Sequence, residues 1–196
     1  MPVRTSIPYS CGTFFITFTC HNWLPLISIT NSYDLIYNWF DILKQEGHYI
    51  NGYVIMPNHL HAMISFSEGN GNINTIIGNG KRFMAYEIIK RLENNNEKEL
   101  LSLLSQNVEL SRKANNKKHE VWLSFDWKLC CSNEFADQKL NYIHFNPCKG
   151  KWNLCLDPTD YVHSSAKFYA EGMQGIYPVT SFSAMQDVNL VTKTKY

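Results

Sequence analysis

The chain has 196 residues, a formal net charge of +1, 44% apolar and 14% aromatic residues. This length suggests a single domain over residues 1–196. The apolar content suffices for a packed core, and the near-neutral balance excludes a protein held to nucleic acid by bulk charge alone, so such a partner would need a local patch or a metal.

The start, Met1-Pro2-Val3-Arg4-Thr5-Ser6, has no apolar signal core, and no run approaches a membrane span. Six cysteines, at 11, 20, 130, 131, 148 and 155, include no Cys-x-x-Cys, and the adjacent pair at 130 and 131 is not a zinc spacing. A cytoplasmic protein with reduced thiols is expected.

After a short polar lead, Gly12-Thr13-Phe14-Phe15-Ile16-Thr17-Phe18-Thr19-Cys20 is rich in aromatic and β-branched residues and reads as a first strand. His21-Asn22-Trp23-Leu24-Pro25 breaks it. Leu35, Ile36, Trp39, Phe40 and Leu43 form an apolar stripe that predicts a helix over 32–46, capped by Asn31 or Ser32 and ended by Gly47. Residues 48–56 and 59–66 read as two strands joined by the tight Pro57-Asn58 turn. The glycine- and asparagine-rich stretch 67–80 reads as a loop with a short turn near 73–77, followed by a helix over 81–92 with a basic start. Residues 94–119 are polar and read as an insertion or flexible arm, with one extra helix over 97–106 and a solvated basic run over 115–119. Val121 to Leu129 resembles another aromatic strand. Residues 133–145 predict a helix that Pro147 ends. The tail from 150 has enough aromatic residues to pack back, and its last fifteen or so residues look frayed. The order of strands and helices fits an α+β class, a ferredoxin-like antiparallel sheet with helices on one face.

The chemistry concentrates in two places. The first is Met56-Pro57-Asn58-His59-Leu60-His61. Strand side chains alternate faces, so His59 and His61 point one way and Leu60 the other. Such a pair is either a turn residue beside a satisfied core histidine, or two imidazoles that reach one metal ion at the end of a sheet. The second place is Leu140-Asn141-Tyr142-Ile143-His144-Phe145-Asn146-Pro147, where Tyr142 and Asn146 share a helix face one turn apart. A tyrosine on a helix is ordinarily a packing residue.

Pro-Asn-His-Leu-His after an apolar strand, followed about 80 residues later by Tyr-Ile-His-Phe-Asn-Pro, resembles the single-tyrosine HUH transposases, and within them the REP-associated tyrosine transposase branch. The likeness runs from about Thr13 to about Lys167 and takes in the first strand, the Lys81-Arg82-Phe83 start of a helix, Trp122 to Trp127, and Ser164-Ser165-Ala166. It implies a divalent metal, Mg²⁺ or Mn²⁺, held by His59 and His61, with Asn146 where relatives carry a polar third ligand, often Gln. It implies Tyr142 as a nucleophile that cuts single-stranded DNA, hairpin-forming in the relatives, and stays on the 5′ phosphate. It also implies a homodimer. His144 is a substitute candidate for the third ligand. Lys81, Arg82 and Lys149 are candidates for DNA contact, against the alternative that they are ordinary solvated charges.

This chemistry is coherent. A divalent ion draws charge from a non-bridging phosphate oxygen, and a phenol needs activation to attack at neutral pH. A phosphotyrosine conserves the energy of the broken bond, so a later 3′-OH can reverse the step. No Gly-Lys-Ser/Thr phosphate loop occurs. Two rival readings are an inactive nucleic-acid-binding module on the same fold, and a metal-dependent hydrolase in which Tyr142 only packs.

Overall fold

The structure is a computed structural model that describes residues 6–69, 71–108 and 117–191. Its elements in chain order are β1 (Gly12–Thr19), a single helical turn α1 (Leu26–Ile29), α2 (Tyr33–Gln45), β2 (Tyr49–Met56), β3 (His59–Phe66), α3 (Ile73–Asn94), α4 (Lys98–Gln106), β4 (Asp126–Leu129), α5 (Asn133–Phe145) and α6 (Ala166–Glu171), with short 3-10 turns between. The four strands form one sheet in the order β2-β3-β1-β4, with every described pairing antiparallel. This is the expected α+β architecture. The β1–β3 register is regular over eight pairs and sets Thr19 opposite His59 and Thr17 opposite His61.

Alternation along β1 divides the molecule. Phe14, Ile16 and Phe18 point to one face, where they join Trp39, Phe40 and Leu43 of α2 and Ile77, Met84 and Ile88 of α3 in the main core. Phe15 points to the other face and joins Val54, Met56, Met63, and Leu140 and Ile143 of α5 in a smaller cluster. Helices therefore cover both faces. The expected one-sided packing describes α2 and α3 only, because α5 follows β4 onto the opposite side.

One glycine on each face admits a helix. A Cβ on Gly80 of α3 would meet the Trp39 indole, and a Cβ on Gly52 of β2 would meet Leu140 of α5. Glycine in these places permits backbone approach that any side chain would block. The same composition made 67–80 resemble a loop. In the structure α3 begins at Ile73, capped by the Asn72 side chain, which accepts from the Asn74 amide. Burial of Ile73 and Ile77 in the core outweighs the weak helix propensity of Gly78 and Gly80.

Within the polar stretch 94–119, α4 occupies Lys98–Gln106 and buries Leu104 against the core. Residues 109–116, including the first part of the basic run, lie outside the described residues. The aromatic stretch from Val121 is a strand only from Asp126; Trp122 bridges to Cys20.

At the other edge, the chain near Ser164 pairs with β2: the Ile55 amide donates to the His163 carbonyl at 2.8 Å and the Ser165 amide to the Tyr53 carbonyl at 3.0 Å. This covers what would otherwise be an open edge strand. The tail continues past the expected fraying point. Met185 is buried, and the Glu68 amide donates to the Leu190 carbonyl; residues 192–196 lie outside the described residues. No helix among the described residues is long and apolar enough to cross a membrane. All six cysteines are free thiols.

Candidate active site

The site forms where the start of β3 meets the end of α5. β3 starts immediately after the Pro57-Asn58 turn, so its first and third residues, His59 and His61, share a face at the sheet's end. That face is the one α5 covers. The two imidazoles lie edge to face with ring centroids 4.7 Å apart. α5 is anchored by Ala136, Leu140 and Ile143, which leaves Tyr142 pointing along the sheet toward His61. Its ring stands 5.0 Å from that imidazole and 5.9 Å from Phe15, edge-on to both, and is 51% exposed. Asn146 follows at the end of the helix, where its Oδ1 lies 3.1 Å from His59 Nε2. The structure thus brings Tyr142, His59, His61 and Asn146 together from stretches far apart in sequence.

Protonation states follow from burial. His59 and His61 are 5% and 6% exposed. Burial pushes His59 down to about 4, against a smaller opposing pull from Asn146, whose Oδ1 could accept only from the charged ring. His61 is held well below the ordinary imidazole value, first by burial, then by repulsion from His59 and from the Lys139 ammonium. Both rings are therefore neutral at pH 7 and keep a lone pair.

The tautomer of His59 can be deduced. The Asn58 side chain is fully buried, and its Nδ2 donates to the Trp23 carbonyl at 3.1 Å. This fixes Asn58 Oδ1 toward His59 Nδ1, 2.6 Å away, and a carbonyl oxygen can only accept. So Nδ1 carries the proton and Nε2 the lone pair. That lone pair faces Asn146 Oδ1, a second acceptor. Two acceptors at hydrogen-bond distance repel unless the Asn146 amide turns its nitrogen inward or a cation lies between them. On the other ring, His61 Nδ1 is 2.8 Å from Thr17 Oγ1. Each imidazole is thus oriented through one nitrogen by a partner behind it, as metal-binding histidines ordinarily are.

The chemistry of these donors fits a divalent ion. Among the described residues no group of three or more His, Cys, Asp or Glu side chains could hold a metal, so the set is two imidazoles and one amide oxygen. Such ligands are uncharged and would leave the positive charge of a bound ion to be met by an incoming anion.

The other expected residues lie elsewhere. Lys81 is on α3, across the sheet; its Nζ donates to the Leu123 carbonyl at 2.6 Å and lies over the Phe18 and Phe125 rings. Arg82 follows it with its guanidinium over Phe83. Neither belongs to this site. Lys149 comes directly after the turn that holds Asn146, with its ammonium over Phe145. His144 points away from the site. It is buried, its Nε2 is 3.0 Å from Ser165 Oγ, and burial pushes it down to about 4.

Four further residues shape the site without having been singled out in the sequence. Thr17 and Asn58 orient the histidines. Lys139, one turn before Tyr142, places its ammonium over the rings of Phe15, Phe135 and Tyr142 at 5.1–5.9 Å. Trp23 stands edge-on to His59 at 5.8 Å. Thr17 was legible in the alternation of β1, and Asn58 in its place beside the first histidine; nothing in the sequence marked Lys139 or Trp23.

No protein-family model matches the sequence, and no curated protein does. Among solved structures, the chain is similar to a REP-associated tyrosine transposase bound to a REP hairpin, at 20% sequence identity and a TM-score of 0.52, over 90% of this chain and 92% of that one. At that identity the likeness establishes the shared fold.

Proposed function

We propose that the chain is a metal-dependent transposase that cleaves and rejoins single-stranded, hairpin-forming DNA, with Tyr142 as the nucleophile. The observation that carries this reading is the convergence of an exposed tyrosine on two buried, neutral histidines, one of which turns its lone pair on Asn146. A packing role for Tyr142 does not account for a half-exposed ring over the one face of the sheet where imidazoles are paired. The DNA hairpin in the similar structure supports the choice of substrate.

His59, His61 and Asn146 would hold Mg²⁺ or Mn²⁺. Bound at such a site, a divalent ion withdraws charge from a non-bridging oxygen of the scissile phosphate. The chain's own residues do the rest. Tyr142 presents its hydroxyl from a helix anchored by Leu140 and Ile143, so attack needs no large rearrangement. The Oη–P bond forms as the bond from phosphorus to the 3′ oxygen breaks; the phenol gives its proton to solvent, and the departing oxygen takes one up as a free 3′-OH. Lys139 adds positive charge beside the ring. The 5′-phosphotyrosine remains open to attack by a 3′-OH, which makes the step reversible.

The test is incubation with a library of labelled DNA hairpins carrying randomised single-stranded flanks, plus Mn²⁺, read on a denaturing gel. A protein-linked DNA band that vanishes in Tyr142→Phe is expected. Cleavage without a linked band would replace the transposase with a hydrolase, and binding without cleavage would leave a binding module.

A further inference from the structure

The turn between β1 and α1 is built in an unusual way. Asn22 and Trp23 are consecutive non-glycine residues with positive φ, 52° and 56°. Asparagine tolerates that region; a bulky aromatic residue rarely enters it. Both ring nitrogens of the adjacent His21 are buried without a hydrogen-bond partner among the described residues. What this conformation achieves is to hold the Trp23 indole out in solvent, 54% exposed, against the edge of His59. It is held there by Asn58, whose amide nitrogen bonds the Trp23 carbonyl while its oxygen orients His59. A single buried side chain thus ties the position of Trp23 to that of a candidate metal ligand. Isolated exposed aromatics are common, but a strained backbone that presents one beside a reactive site is a reason to look for its ligand.

Position selects the ligand. Tyr142 borders His61, and Trp23 borders His59, so the two exposed rings flank the histidine pair from opposite ends. In a displacement at phosphorus the attacking and leaving oxygens lie in line on opposite sides. With Tyr142 attacking from the His61 end, the 3′ oxygen leaves toward the His59 end. We infer that Trp23 is the stacking platform for the unpaired base of the nucleotide that leaves with the free 3′-OH. Every base has a π face, so such a platform grips a single strand without reading its sequence. Its effect is to retain the departing strand beside the phosphotyrosine, which favours rejoining over release. The direction of this assignment rests on the proposed role of Tyr142.

The experiment measures binding of DNA hairpins with single-stranded flanks to the Tyr142→Phe protein, with and without Trp23→Ala, while flank bases are removed one at a time as abasic sites. Trp23→Ala is expected to weaken binding to intact DNA about tenfold or more, and Trp23→Phe much less. At one flank position, the nucleotide immediately 5′ of the cleavage point mapped with the parent protein, base removal should make the Trp23→Ala and Trp23 proteins bind alike. Trp23→Leu, which keeps apolar bulk but no π face, should behave as Trp23→Ala and guards against a folding defect. Unchanged DNA binding in Trp23→Ala, which is what a site for a protein partner would give, overturns the inference, as do an equal loss at every abasic position and convergence only at a base 3′ of the cleavage point. Failure of the parent protein to form any adduct would instead sink the transposase chemistry, while the abasic scan still reads the stacking contact: convergence at one flank position keeps the platform, and convergence at none removes it.

Discussion

The two faces of the sheet are built from the same strands and behave as different materials. The face under α2 and α3 is continuous hydrocarbon and aromatic surface, with Phe14, Phe18, Phe40 and Leu43 fully buried. The face under α5 has a smaller apolar cluster, and the same strands add Thr17, His59 and His61 at one end and Thr13 and Ser65, bonded at 2.6 Å, at the other. Every second residue of β1 serves each face, so stability and chemistry are separated by one position in the chain. A face that supplies most of the burial lets the other hold polar groups that cost stability.

If this division is right, the largest effects should fall on one face and spare the other. Tyr142→Phe should remove covalent DNA attachment entirely and leave the thermal midpoint unchanged, since the hydroxyl sits on a half-exposed ring. Adduct formation in that variant would mean the nucleophile lies elsewhere. Phe40→Ala should do the reverse, costing about 3–5 kcal/mol in denaturant unfolding while the surviving folded fraction still forms adducts. A cost below about 1 kcal/mol would show that the α2 face does not carry the fold as described.

Acid should attack the α5 face first. His59 and His144 are pushed down to about 4 and His61 well below the ordinary imidazole value, mainly by burial, whereas an unfolded chain protonates its histidines near 6.5. The unfolded state therefore binds more protons over this window. The stability these groups contribute is complete above about pH 6.5 and is lost as pH falls toward 4. Thermal melts at about pH 7 and about pH 5 should show a lower midpoint in acid; no difference would contradict the burial of these rings.

A smaller effect sharpens the metal assignment. Asn146→Asp puts a carboxylate on an otherwise uncharged donor set and should tighten Mn²⁺ binding without DNA about tenfold, read by electron paramagnetic resonance; unchanged affinity would remove residue 146 from the ligands. The smallest is Lys81→Met. Its ammonium already serves the Leu123 carbonyl, so DNA affinity should stay within about twofold while stability falls by about 1 kcal/mol. A large loss of affinity would return α3 to the DNA surface.

Much was readable without coordinates. The bounds of β3 and α5 matched the expected ones, because an apolar run after Pro57-Asn58 and an apolar stripe stopped by Pro147 are local signals. The pairing of His59 with His61 on one face followed from strand periodicity alone. The start of α3 was hidden because Gly80 is there for Trp39, a contact from α2 that no local pattern announces. The last residues looked frayed because Glu68, the partner of Leu190, is remote in sequence.

The sequence by itself therefore determined most of the elements, their class, and which residue types could do chemistry. Only the tertiary structure decided which of those residues meet. It placed α5 on the face opposite α2 and α3, brought Asn146 to His59, turned His144 toward Ser165 and left Lys81 and Arg82 across the sheet. It also set Trp23 beside His59 through Asn58. The reason is range: periodicity and capping act within a few residues, whereas a site is made by contacts between segments whose adjacency depends on how the whole core packs.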